Sequence, residues 1–208
     1  MSNSWQMIRL MAVVSLLCGV LIVATELNTS ARIRHNQEAI LRESIAQLLP
    51  GIEKQIIYGI APSGDLTILP NVEAAGPRFF AGYDASGKLI DVVIEASERG
   101  YADVISAMYR YSLATKTITG FQVIDMKETP GLGNKIGTDA GFLENFKHLD
   151  ATHPITTVKH GAKKNDWEID AISGATISSR AVGRMLQKSV ALTAPVIENN
   201  RGRIERGQ

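Results

Sequence analysis

Cysteine is almost missing from this chain: the single Cys18 lies inside an apolar run. That excludes disulfides within the chain, cysteine-ligated iron–sulfur clusters and C-x-x-C-H haem attachment. Histidine is also scarce. His35, His148, His153 and His160 lack the i, i+4 helical spacing of a zinc site, and no Asp/Asn ladder marks a calcium loop. Each histidine therefore reads as a surface or hydrogen-bonded side chain, and no metal site is expected. Charge of one sign is absent too, because 22 Lys and Arg against 21 Asp and Glu leave a net +1. Without a basic stripe interleaved with aromatics, nucleic acid is excluded as a partner. No nucleophile and base pair and no paired acid and base carboxylates stand out, so no catalytic residue is assigned.

What is present is the balance of a globular fold, with 45% hydrophobic and 21% charged residues among 208. That length holds one ordinary domain and an accessory segment. The accessory segment is N-terminal. Leu10 to Thr25 carry no charge and are rich in Leu, Val, Ile and Met, with Trp5 placed for a membrane interface. The run reaches the roughly 20 residues of a span when Met7, Ile8 and a snorkelling Arg9 are counted, and a signal-peptide core is the alternative. The small-x-small cleavage pattern near Ile22 to Ala24 is weak, which favours a retained single-pass anchor over residues 1–28 in contact with membrane lipid. Arg9 lies on one side of the run and Arg32, Arg34 and Arg42 on the other. Counted by the positive-inside rule, the C-terminal part would stay inside.

Beyond the anchor, Ile33, Ile40, Leu41, Ile45 and Leu48 recur at helical spacing, with Thr29 or Ser30 as the cap and Pro50-Gly51 as the stop. This predicts a connecting amphipathic helix over 29–50. Strand-like runs follow at 55–60, 66–69, 78–83 and 88–95, the last two joined by the hairpin signature Asp84-Ala85-Ser86-Gly87. A second pair is expected at 104–113 and 117–126, with shorter strands at 155–159 and 167–169. Phe142, Leu143, Phe146 and Leu149 mark a short helix, and Val182, Met185, Leu186 and Val190 mark a longer one over about 178–194, before Pro195 and a polar tail at 196–208. The fold class is α+β, an antiparallel sheet with flanking helices behind one N-terminal transmembrane helix, and the main domain spans 51–195.

Two loops in that domain suit a ligand. Asp170 to Thr176 read D-A-I-S-G-A-T and open directly into the last helix. Unpaired amides and the positive dipole end there can hold an anion near Ser173, Gly174, Ala175 and Thr176. Glu128 to Gly133 read E-T-P-G-L-G, where Pro130 and Gly131 fit the centre of a type II turn. On the residues alone, the first string is equally an ordinary capped turn and the second a plain tight turn. The glycines at 131, 133 and 137 lack dinucleotide spacing, and no Walker loop is present.

The D-A-I-S-G-A-T string resembles the flavin-transfer motif, and together with E-T-P-G-L-G behind an anchor it is similar to the FMN-binding domain family. That family includes the G subunit of the Rnf electron transport complex and the C subunit of sodium-pumping NADH:quinone reductase. Gly100-Tyr101, Asp139-Ala140-Gly141 and Phe142-Leu143-Glu144-Asn145-Phe146 extend the match, while Ala102-Asp103 departs from the small residue and glycine often found there. The short chain favours the Rnf type. The resemblance implies FMN esterified through its phosphate to Thr176, attached by a separate flavin transferase that uses FAD and reads Asp170 and Ser173 to Ala175. It further implies that Glu128, Thr129 and Leu132 line the isoalloxazine, with Tyr101 stacking and Lys159 balancing charge as weaker carry-overs. The implied role is electron carrier within a membrane complex of several subunits that couples ferredoxin/NAD-type electron transfer to ion translocation. The flavin domain is then on the periplasmic side of a bacterial inner membrane, opposite to the side that the charge count gives. The alternatives are a membrane-anchored regulatory or sensory domain that binds FMN reversibly, and a structural module in which both loops are only turns.

Overall fold

Lacking proline or any capped break, the first segment is helical throughout. In the computed structural model, which describes residues 2–61, 64–70 and 76–208, Ser2–Leu48 form one helix, α1. Its stretch Ser4–Ser30 is long and apolar enough to cross a membrane, and side chains from Trp5 to Leu27 are exposed along it. The cap expected at Thr29 or Ser30 does not form. Thr25 and Thr29 donate their hydroxyls to the carbonyls of Leu21 and Thr25, each at 2.7 Å, and Ser30 donates to Leu27. Such back-bonding satisfies a hydroxyl inside a helix, so nothing forces the helix to restart. It stops before Pro50-Gly51 as expected, with Gly51 at φ 83°.

The chain divides into two compact units, 1–41 and 42–208. The second is built on a seven-stranded sheet made of β1 (Lys54–Ile60), β2 (Leu66–Leu69), β3 (Arg78–Tyr83), β4 (Leu89–Arg99), β5 (Val104–Ser112), β6 (Thr117–Asp125) and β7 (Leu149–Asp150). The strand order is β2-β1-β3-β4-β5-β6-β7, and each neighbouring pair is antiparallel. Asp84 explains the β3–β4 hairpin: its Oδ1 accepts from the amides of Ser86 and Lys88, and Gly87 takes φ 79°. A second, parallel pair, β8 (Thr156–Val158) and β9 (Glu168–Asp170), lies outside the main sheet.

Both faces of the sheet are covered, so successive residues such as Phe79 and Phe80 are both buried. On one face lies α3 (Thr176–Asn199), which buries Val182, Met185, Leu186, Val190 and Ile197 in the main core. Tyr109 of β5 donates its hydroxyl to Ser189 of α3 at 2.8 Å. On the other face sit Leu48, Leu49 and Ile52: a side chain at Gly120 would meet Leu48 at 2.9 Å, and one at Gly82 would meet Leu49 and Ile52 at 2.8 Å. Arg110 ties this end of α1 down, pairing with Asp91 at 2.6 Å and reaching the Leu48 carbonyl.

Helix α3 runs through Pro195 to Asn199, past the end read from the sequence. Proline removes one donor, yet buried Ile197 and the Asn200 side chain, bonded to the Val196 carbonyl, hold the following turn. The residues after it form α4 (Arg201–Glu205), whose Ile204 is fully buried and whose carbonyl accepts from Tyr83 at 2.6 Å.

Candidate functional site

Three loops converge at the N-terminal end of α3. The first contains the D-A-I-S-G-A-T string. Ala175 donates its amide to Ile172 across a turn with Gly174 at φ 81°, a value suited to the third position of a type II turn. Ser179 locks this turn onto the helix, because its hydroxyl accepts from the Ile172 amide and donates to the Ala175 carbonyl. No side chain caps α3, which leaves first-turn amides available to an anion. The hydroxyls here divide clearly: those of Ser178 and Ser179 are hydrogen-bonded, whereas half-buried Thr176 and exposed Ser173 make no side-chain hydrogen bond among the described residues.

The second loop contains E-T-P-G-L-G. Leu132 donates its amide to the Thr129 carbonyl at 3.2 Å and Gly131 has φ 76°, so the type II turn expected at Pro130-Gly131 is present. Asn134 accepts from the Gly131 amide and steadies it. Thr129 is exposed, and Leu132 is 51% exposed. The two glycine turns adjoin: a side chain placed at Gly174 would meet Leu132 at 3.8 Å.

The third loop is the tip of the β4–β5 hairpin, where Gly100 donates to the Asp103 carbonyl. Strand β4 runs on to Arg99, so Tyr101 sits on the tip with 66% of its surface exposed. Asp103 accepts from the Val104 amide; this bond, with Lys127 nearby, holds its carboxyl below the usual carboxylate range. Exposed Tyr101, Leu132 and Ile177 supply apolar surface around the Thr176 turn.

Glu128 joins the three loops. It is only 6% exposed; its Oε1 accepts from the amides of Tyr101 at 2.9 Å and Ala102 at 3.0 Å, and its Oε2 accepts from Ser178 at 2.5 Å. Lys159 is exposed and lies beside the motif strand: Val158 accepts from the Ala171 amide, and His160 contacts the Ala171 carbonyl at 3.1 Å. Among the described residues Lys159 has no ion-pair partner. The structure therefore brings Glu128, Thr129, Leu132, Tyr101, Ser173, Gly174, Ala175 and Thr176 around one helix end, with Lys159 just past the end of the adjoining strand β8.

Some supporting residues escape a reading by motif. Buried Asn145 clamps the motif strand, its Oδ1 accepting from the Asp170 amide at 3.0 Å and its Nδ2 donating to the Phe142 and Asp170 carbonyls. Its place between Phe142 and Phe146 on an apolar helix face was the available signal. Asp139 caps α2 (Ala140–Glu144) through the Phe142 amide, as the helix start expected there requires. Ser178 carried no signal, since a serine inside a first helical turn is commonplace. A cavity of about 300 Å³ opens beside this loop, lined by Lys135, Asp139, His160, Asp170 and Ser173 among others.

The fold is that of FMN-binding-domain proteins, and the family model for the FMN-binding domain matches residues 100–191. Solved structures that share it include NqrC of Shewanella oneidensis and the C subunit of the Na(+)-translocating NADH-quinone reductase of Parabacteroides distasonis. The first has TM-score 0.58 at 22% identity, covering 78% of this chain and 87% of that one. The second has TM-score 0.54 at 19% identity, covering 70% and 78%. Within this class, the chain belongs to the G-subunit family of ion-translocating oxidoreductase complexes. It is 32% identical over 183 residues to the G subunit of Methanosarcina acetivorans, covering 86% of this chain and 89% of the relative. It is also 35% identical over 115 residues to the G subunit of the proton-translocating ferredoxin:NAD(+) oxidoreductase complex of Clostridium ljungdahlii, covering 55% and 60%.

Proposed function

We propose that this chain is the electron-carrier subunit of a membrane complex that couples ferredoxin/NAD-type electron transfer to ion translocation, with FMN joined by a phosphoester to Thr176. The observation that carries the reading is the division of hydroxyls at the uncapped start of α3. Thr176 has an unengaged hydroxyl beside amides suited to a phosphate, whereas Ser178 and Ser179 are held by protein partners. The residues fit the group: Gly174 leaves room over the turn, Leu132 and Tyr101 offer exposed apolar surface for a ring, and Thr129 supplies polar atoms at its edge. Lys159, just past the end of β8, adds positive charge nearby.

Bound FMN supplies reversible one- and two-electron transfer. The chain restricts where that chemistry happens, because a tether at the start of a helix that is packed on the sheet limits how far the ring can move from its redox partners. The partners are the other subunits of the complex, with a flavin transferase using FAD as the source of the group. Asp170 and Ser173 line one cavity beside the attachment turn, a surface suited to recognition by that transferase. Ser4–Ser30 anchor the chain in lipid, with the flavin domain on the periplasmic side of a bacterial inner membrane. A covalent link keeps the flavin from being lost there.

The test is intact mass and in-gel fluorescence under denaturing conditions, after co-expression with a flavin transferase. The wild type is expected to gain the mass of FMN and to fluoresce, and Thr176→Ala to do neither while keeping its circular dichroism. Flavin retained after denaturation of Thr176→Ala would refute the attachment site.

A further inference from the structure

We propose that Glu128 is a positioning residue: its buried carboxylate pins the Tyr101 tip and the Leu132 turn to the helix that starts at Thr176, and does not itself touch the flavin. The proposal rests on the FMN reading above and assigns Glu128 a different part in it.

The argument begins with desolvation. A carboxylate that is 6% exposed needs compensation, and among the described residues no Lys, Arg or His pairs with Glu128. The compensation comes from three donors in two other segments. Tyr101 and Ala102 give their backbone amides to Oε1, and Ser178 gives its hydroxyl to Oε2. Hydrogen bonds to a charged acceptor are about twice as strong as neutral ones, so this one side chain can fix a loop and a helical turn 27 and 50 residues away from it in sequence.

The surrounding glycines agree. A side chain at Gly100 would collide with Oε1 and come within 2.7 Å of Ile105. One at Gly133 would lie 2.5 Å from Oε2 and 2.8 Å from the Ser178 hydroxyl. Neither glycine has a positive φ, so what they provide is space for the carboxylate and not an unusual backbone. Both oxygens of Glu128 therefore face protein, while the side chains that it positions, Tyr101 and Leu132, are the exposed ones. Fixing the Tyr101 amide fixes where its ring starts, and Ser178 ties that tip to the turn of helix that begins at Thr176. A rigid platform of this kind sets the surroundings of a bound ring without contact from the residue that holds it.

The first arm of the test needs no flavin. Amide hydrogen exchange is followed on the full-length chain in detergent, for wild type, Glu128→Ala and Glu128→Gln. Protection at Tyr101 and Ala102 should fall about tenfold or more in Glu128→Ala, consistent with loss of charge-assisted bonds. Glu128→Gln should keep most of it, since one amide oxygen can still accept both protons. Unchanged protection in Glu128→Ala would overturn the proposal.

The second arm uses the chain after flavin transfer and reads the visible spectrum and midpoint potential in cycles with Tyr101→Ala and Leu132→Ala. Acting through the tip or the turn, Glu128→Ala should shift both in the wild-type background and markedly less in the Tyr101→Ala or the Leu132→Ala background, with Glu128→Gln near wild type. A shift of full size that survives in both the Tyr101→Ala and the Leu132→Ala backgrounds would mean direct contact with the flavin and would overturn the proposal. If Glu128→Ala does not fold, Ser178→Ala replaces it, and an unaltered spectrum in that variant counts against the positioning role. A wild-type chain that accepts no flavin refutes the functional reading, and the exchange result then stands separately.

Discussion

Leu132 is half exposed and adjoins Gly174 across the two facing turns, with its backbone rather than its side chain closing the type II turn. Truncation therefore removes apolar surface next to the proposed attachment site and leaves the loop intact. Leu132→Ala should leave flavin attachment at wild-type yield and change folding stability by no more than about 0.5 kcal/mol, as for most exposed positions. It should nevertheless shift the flavin absorbance bands, read in a visible spectrum of the purified chain. An unchanged spectrum would remove Leu132 from the ring's surroundings. For these residues the motif predicted the Pro130-Gly131 turn and the helix start at Thr176, both of which depend on local backbone geometry. Which hydroxyl is free could not be read locally, because Ser178 and Ser179 are engaged by Glu128 and by the Ile172–Ala175 turn.

Among the elements, α4 depends most on distant parts of the chain. Five residues cannot hold a helix alone. Ile204 is fully buried in the main core and its carbonyl accepts from the buried Tyr83 hydroxyl. Ile204→Ala keeps the backbone bond but leaves a cavity, and should cost about 2–5 kcal/mol in urea denaturation. A loss within error would mean that α4 is not docked. The strands were legible because their alternation and turn residues are local: β1, β2 and β3 begin and end within a residue of expectation. Strand β4 extends past its local pattern to Arg99, since its last residues are held by pairing with β5 and not by their own hydrophobicity. Local propensity ends helix α3 before Pro195, because burial of Ile197 is a tertiary effect that it does not contain.

Across the molecule, burial of phenols links the core to alkaline stability. Burial raises the ionisation of Tyr83 well above its ordinary value of 10.0, helped by its bond with Tyr58. Burial likewise raises Tyr109, against hydrogen bonds to Ser189 and Thr193 that lower it, and raises Tyr111, where the Glu198 charge adds to the effect. The folded chain thus keeps protons that the unfolded chain releases. Stability is fully present below the unfolded value near 10 and falls as pH rises above it. In an alkaline titration followed by phenolate absorbance, these three groups should stay silent until circular dichroism reports unfolding. A complete phenolate signal from a still-folded chain would contradict this burial.

Residue order alone established the apolar N-terminal helix, the α+β class, the succession of strands along the chain and the two glycine turns, because each follows from composition or short-range periodicity. It also carried the resemblance to the FMN-binding family, through strings in which order and spacing are specific. How those strings meet was settled only by folding in three dimensions. The parallel β8–β9 pair, the clamp of Asn145 on Asp170 and the junction of Tyr101, Glu128 and Ser178 all join residues distant in sequence. The physical reason lies in burial: a carboxylate or an amide removed from water must find its partners in space, and no local pattern records which segments will supply them.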